Sequence, residues 1–154
     1  MNIRKANLND VRNIVELNRL LNKQHVALDP IWAGGDVVNT SFEKRLKEDL
    51  NNADSLHLVA EDNEKLVAWF EGSIEETLPY FTERKIGHIR SVYVLPEFRK
   101  QGITKAGVNM LFNWFKEHGI KLAELSVASE NKEAVEVWEK LGFMEYKKRM
   151  KREI

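Results

Sequence analysis

The sequence predicts an α/β fold, and three observations carry that prediction. Residues 86–95 form a β-rich run that stops at Pro96. Residues 102–118 then place Val108, Leu111, Phe112 and Phe115 on one stripe of an amphipathic helix closed by Gly119. Residues 122–127 form the next strand-like run. Strand, helix and strand in immediate succession make a right-handed crossover between parallel neighbours.

The elements follow in order. Residues 2–5 read as a first strand, and Asn7 and Asp10 are capping types ahead of Val11, Ile14, Leu17 and Leu21, which are apolar at helical spacing. Over residues 22–39 the periodicity fails, and Asp29-Pro30 and Gly34-Gly35 punctuate a long irregular segment of the kind that carries lids. Thr40 with Glu43 has the form of a capping box that opens a second helix through Phe42, Leu46 and Leu50. Residues 55–61 and 65–74 read as strands joined at Asp62-Asn63-Glu64 into a hairpin, with a bend at Gly72. Ala134, Val137, Trp138 and Leu141 line a last helix that stops at Gly142, and residues 143–152 read as a terminal strand or hairpin rich in basic residues.

Composition narrows the function classes. The 154 residues suit one domain over residues 1–154. Lysine plus arginine equals aspartate plus glutamate at 24 each, so no global field draws the chain to nucleic acid or to an anionic membrane, and neither is an expected partner. The absence of cysteine excludes a disulfide framework, a thiolate metal site and a cysteine acyl-enzyme, and no metal is expected. The charged N-terminus and the lack of a long apolar run predict a soluble, cytoplasmic protein.

The informative motif lies where strand turns into helix. Arg99-Lys100-Gln101-Gly102-Ile103-Thr104-Lys105 brings together unpaired helix N–H groups, the positive end of a helix dipole and several cations, which suits an anion such as a pyrophosphate. Preceded by Val94-Leu95-Pro96, this run resembles the cofactor motif of the GCN5-related N-acetyltransferases, Gln/Arg-x-x-Gly-x-Gly/Ala, with Thr104 standing at the small-residue position. A second motif, a strand followed by an asparagine and a helix ending Tyr-x-x-Leu-Gly-Phe, is matched by Asn131, Ala134 and Trp138-Glu139-Lys140-Leu141-Gly142-Phe143. The opening Ile3-Arg4-Lys5-Ala6 with Asp10 extends the likeness across essentially the whole chain.

The resemblance implies a mixed, twisted sheet of six to seven strands flanked by about four helices, the strands near residues 90 and 125 splayed apart around acetyl-CoA. By that analogy Val92, Tyr93 and Val94 hold the acetyl and pantetheine, the residues from Arg99 through Lys100, Gln101, Gly102, Ile103 and Thr104 to Lys105 hold the pyrophosphate, and Asn131 and Trp138 complete the site. It also implies direct acetyl transfer to a primary amine in a ternary complex, with a homodimer as one assembly.

A lysine-type amine has a reference pKa near 10.4, so a base must remove a proton before attack. His88 is the first candidate, because it sits four residues before Val92, where histone-modifying relatives place a glutamate, and because histidine titrates near neutrality. Glu71, on the strand after Trp69-Phe70, is a reserve base. Ser126 stands where ribosomal-protein acetyltransferases carry a glutamate, so that route does not transfer. Trp138 replaces the family's tyrosine that protonates the departing thiolate, which leaves Tyr93, Tyr80, Tyr146 or water for that step, or a thiolate that departs unaided. The resemblance implies that the irregular segment holding His25, Asp29, Trp32 and Gly34-Gly35 borders the acceptor. Two other readings compete: a catalytically impaired CoA-binding module, and nucleic-acid binding through Lys147, Lys148, Arg149, Lys151 and Arg152, which zero net charge opposes. Glu75, Glu76 and Glu83 favour a small cationic amine over a protein amine as acceptor.

Overall fold

The structure is a computed structural model that describes residues 1–29, 31 and 36–154, with the backbone alone for residues 36–38. Strands β1 (Asn2–Lys5), β2 (Ser55–Asp62), β3 (Lys65–Glu76), β4 (Lys85–Val94) and β5 (Ala123–Glu124) form one sheet in sequence order. The first four pair antiparallel and β4 pairs with β5 in parallel. The helices are α1 (Val11–Leu28), α2 (Asp36–Asp49), α3 (Ile103–Glu117) and α4 (Lys132–Lys140).

Local chemistry explains the start of the chain. Asn7 caps a short 3-10 turn over Leu8–Asp10, and the Asp10 carboxylate accepts from the Asn7 amide at 2.8 Å, a reciprocal capping box. Arg4 of β1 donates to both Asp10 and Glu61, which fastens β1, α1 and β2 together and holds the Asp10 carboxyl below its usual range. In the β2–β3 hairpin, Asn63 and Glu64 both adopt positive φ, 47° and 63°, the twist that a two-residue turn needs.

Alternation along β3 assigns its two faces. Phe70 and Gly72 face α3: a Cβ built on Gly107 would lie 2.3 Å from the Phe70 ring, so glycine is what lets helix and sheet approach this closely. Trp69 and Glu71 face α2, where Phe42 meets the Trp69 ring edge-on at 5.3 Å. α1 packs beside α2 against β3 and β4. The bend expected at Gly72 is a register shift in the β3–β4 ladder between Glu71 and Gly72.

Three expectations are corrected. α1 runs on to Leu28 and α2 begins at Asp36, so residues 22–28 and 36–39 of the segment expected to be irregular are helical, and Thr40 lies inside α2 rather than at its cap. Lys23, Gln24, Ala27 and Leu28 are good helix formers, but the inner face mixes Gln24 and His25 with Leu21 and Leu28, which blurs the apolar period. The strand expected over residues 122–127 is paired only at Ala123 and Glu124, because β4 diverges beyond them. Among the described residues no strand follows α4, so the sheet has five strands rather than six to seven.

Candidate active site

The site begins where a ladder ends. Gly87 pairs with Ala123 and His88 with Glu124, and beyond that point the two parallel strands separate. β4 keeps its ladder to β3 through Val94, so only the edge facing β5 is open, and alternate N–H and C=O groups of residues 89–94 point into the gap. Residues 89–94 and 125–128 line opposite walls of a cavity of about 750 Å³.

One end of that cavity is cationic. Lys100 and Gly102 take positive φ of 61° and 80°, which turns the chain sharply from β4 into α3. The Arg99 Nε donates to the Val94 carbonyl at 3.0 Å, and its guanidinium stands 5.9 Å from the Tyr93 ring centre, so its position is held from two sides. No side chain caps α3, which leaves the first-turn N–H groups of Ile103, Thr104 and Lys105 directed at the cavity that these residues line. Backbone amides, the helix dipole, Arg99, Lys100 and Lys105 thus converge on one point.

Nearly all the residues expected at a cofactor line this cavity: Val92, Tyr93, Val94, Arg99, Lys100, Gly102, Ile103, Thr104, Lys105, Asn131 and Trp138. Gln101 does not line it; its side chain turns back to the Glu97 carbonyl at 3.3 Å. Asn131 caps α4 through the Ala134 amide at 3.2 Å while facing the cavity. Trp138 packs edge-on against Phe143 at 5.6 Å and also faces the cavity, so packing and lining coexist there.

Comparison with known proteins bears on the identity. The Acetyltransferase (GNAT) family matches residues 16–143. The chain belongs to that family. This GNAT chain is 29% identical over 152 residues to an N-alpha-acetyltransferase of Sulfurisphaera tokodaii, covering 94% of the chain and 81% of the relative. It is 38% identical over 63 residues to an uncharacterized N-acetyltransferase of Methanocaldococcus jannaschii, a match spanning 41% of the chain and 28% of that relative. A predicted acetyltransferase of Clostridium acetobutylicum, solved with acetyl-CoA, shares the fold at TM-score 0.80 and 21% identity, with 99% of this chain and 95% of that one covered.

The expected catalytic residues of the GNAT chain do not gather in one place. Tyr93 lines the cavity at 5% exposure, and burial pushes its hydroxyl above the ordinary range. His88 stands just outside the lining, at the closed end of the strand pair, with Nδ1 3.9 Å from Glu75 and 3.6 Å from Glu124. Burial pushes the Glu75 carboxyl up, but the Ser73 hydroxyl and the Arg90 guanidinium outweigh it and hold the group below the usual range. Tyr146 donates to Glu124 from the C-terminal segment. Glu71 is 1% exposed, ion-paired with Arg45 beneath α2 and outside the cavity lining. Tyr80 is exposed on the loop after β3.

Asp49, His57 and Glu71 bring ligand-type atoms within 4.8 Å of one another. The Trp69 indole N–H donates to His57 Nδ1 at 3.1 Å, so the neutral ring carries its proton on Nε2, the atom a metal would need bare. The Arg45 guanidinium paired with Glu71 and Asp49 adds a cation to the same place. This donor set does not fit a metal.

Sequence reading set His25 in an irregular segment expected to border the acceptor and missed that a helix, α1, supplies this wall. Leu21, Gln24, His25 and Leu28 line the cavity, and their spacing of three and four is a helical signal that the mixed polarity obscured. Asp29, just beyond α1, pairs with Lys151. Trp32 and Gly34-Gly35 lie outside the described residues.

Proposed function

We propose that this protein is an acetyl-CoA-dependent N-acetyltransferase that moves the acetyl group directly to a primary amine of a small cationic acceptor. The observation that carries the reading is the joining, in one cavity, of an open β4 edge and an uncapped, cation-ringed α3 N-terminus. The amides of residues 103–105 with Arg99, Lys100 and Lys105 hold the pyrophosphate, the β4 edge holds the pantetheine, and Asn131 and Trp138 close the β5 side. Acetyl-CoA supplies the activated thioester. N–H groups on the open edge of residues 92–94 offer donors to the tetrahedral oxyanion. Tyr93, kept protonated by burial, is the donor assigned to the departing thiolate.

Glu75 and Glu124, at the closed end of the strand pair, supply negative charge beside the cleft, which supports a cationic acceptor. A second reading, acetylation of a protein α-amine, is favoured by the N-alpha-acetyltransferase relative that aligns over 94% of the chain. The deciding experiment is acceptor-dependent release of free CoA across polyamines, aminoglycosides and peptides with free N-termini, alongside calorimetric binding of acetyl-CoA. Turnover on polyamines or aminoglycosides supports the first reading, and turnover on peptides alone supports the second. Binding without turnover on any amine would reduce the protein to a CoA-binding module, and no binding would remove the proposal.

A further inference from the structure

We infer that His25 of α1 is the general base that deprotonates the acceptor amine in this cleft, an assignment that rests on the acetyltransferase reading. Three observations carry it. First, the stripe Leu21, Gln24, His25 and Leu28 is one face of α1, and it lines the same cavity as the open edge of β4. Second, α1 packs with α2 against β3 and β4, whereas the phosphate cradle opens the α3 that packs on the other sheet face. His25 therefore belongs to the wall left to the acceptor.

The third observation is elimination among the described residues lining the cavity. Arg90, Arg99, Lys100, Lys105 and Lys140 are cations with no lone pair to offer near neutral pH. Tyr93 is held protonated by burial. Only His25 and Glu133 remain as groups able to take a proton. Glu133 sits exposed in the first turn of α4, on the wall that continues from β5. His25 is half-buried, and burial lowers its pKa, so its ring is neutral at pH 7. Nearby, Asp29 is already held by Lys151.

The step balances as follows. The acceptor ammonium passes one proton to the His25 imidazole, which becomes imidazolium. The freed nitrogen lone pair attacks the thioester carbon, forming C–N as the carbonyl electrons move onto oxygen. Collapse of the oxyanion breaks C–S, Tyr93 gives its hydroxyl proton to the departing CoA thiolate, and the second N–H proton returns to the Tyr93 oxygen, directly or through water. The imidazolium then returns its proton to solvent.

The test compares His25→Gln, His25→Asn and Glu133→Gln with wild type, reading acetyl-CoA affinity by calorimetry, folding by circular dichroism, and kcat/KM on the best amine from acid to alkaline pH. The two His25 variants are expected to bind acetyl-CoA as wild type does, to lose roughly 100-fold in kcat/KM and to lose the acid-side fall of the pH profile. Glu133→Gln is expected to keep the acid-side fall of the profile, and a fourth variant, His25→Ala, is expected to regain part of its rate when imidazole is added to the buffer. An unchanged rate and profile in His25→Gln would overturn the assignment. So would loss of acetyl-CoA binding or of the fold in every His25 variant, which would make His25 structural, or loss of the profile in Glu133→Gln alone. If wild type binds acetyl-CoA and turns over no amine, the acetyltransferase reading itself fails and takes this base with it. If wild type is active and His25→Gln equally so, only the base fails.

Discussion

Gly102 holds φ of +80° at the start of α3, and a Cβ built there meets nothing within 4 Å, so its requirement for glycine is conformational and not steric. A side chain in this left-handed region costs about 1–2 kcal/mol. Gly102→Ala is therefore expected to weaken acetyl-CoA binding about tenfold as the cradle relaxes, with calorimetry as the check; undiminished affinity would show that the cradle does not depend on this turn. His57 is a second residue whose chemistry can be read locally. It is fully enclosed, accepts from Trp69 at Nδ1, and its Nε2 lies 3.8 Å from Asp49. Burial outweighs the nearby carboxylates and lowers its pKa from 6.5. The unfolded chain then binds the proton first, so stability is full above pH 6.5 and declines as pH falls below it. His25 shifts the same way. Denaturant melts across that window are expected to show the decline in wild type and a shallower one in His57→Gln, whose amide can still accept from Trp69; equal slopes would contradict the assignment.

At the scale of elements, one ion pair clamps α2 onto the sheet. Arg45 donates to Glu71 on β3 and to Asp49 on its own helix. The two partners are not equivalent: the Glu71 side chain is 2% exposed and that of Arg45 is 38% exposed. Arg45→Met strands a buried carboxylate and is expected to cost about 3 kcal/mol. Glu71→Leu leaves Arg45 able to turn to water and is expected to cost about half as much. The double substitution should cost less than the sum, and a double-mutant cycle by denaturation measures that coupling; strict additivity would mean that the pair holds nothing together. The hairpin between β2 and β3 was legible in the sequence because its turn is set by neighbours in the chain. The paired length of β5 was not, because a strand is defined by its partner and β4 moves away from it after Glu124.

Over the whole molecule the formal charge is zero, yet the cavity collects Arg99, Lys100 and Lys105 at one end while Glu124 and Glu75, the latter paired with Arg90, lie near the other. Local separation of charge, not net charge, is what an anionic cosubstrate and a cationic acceptor would meet. Because the Debye length shrinks from about 10 Å at 0.1 M salt to about 3 Å at 1 M, acetyl-CoA affinity is expected to fall several-fold over that range. Lys100→Gln with Lys105→Gln should flatten the dependence, measured by calorimetry at each salt concentration; affinity independent of salt would place the phosphates elsewhere. Among the described residues, no helix is long and apolar enough to cross a membrane.

The sequence by itself determined the α/β class and pointed to the β4–α3 turn, Asn131 and Trp138 as parts of one cavity lining, because each depends on periodicity or on motifs confined to a few consecutive residues. Gly102, Arg99 and Lys105 could be read as an uncapped, cationic helix start from spacing, since a helix start exposes its amides wherever it occurs, and it was the resemblance to a family motif that made it a candidate phosphate site. Only the tertiary structure decided which polar side chains share the cavity. It drew Glu71 into a pair with Arg45, left His88 at the closed end of the strand pair, and set His25 at the end of α1 on the cavity that β4 also lines. A side chain's chemistry is written in its type, but its neighbours across the sheet come from segments tens of residues away, and only packing brings them together.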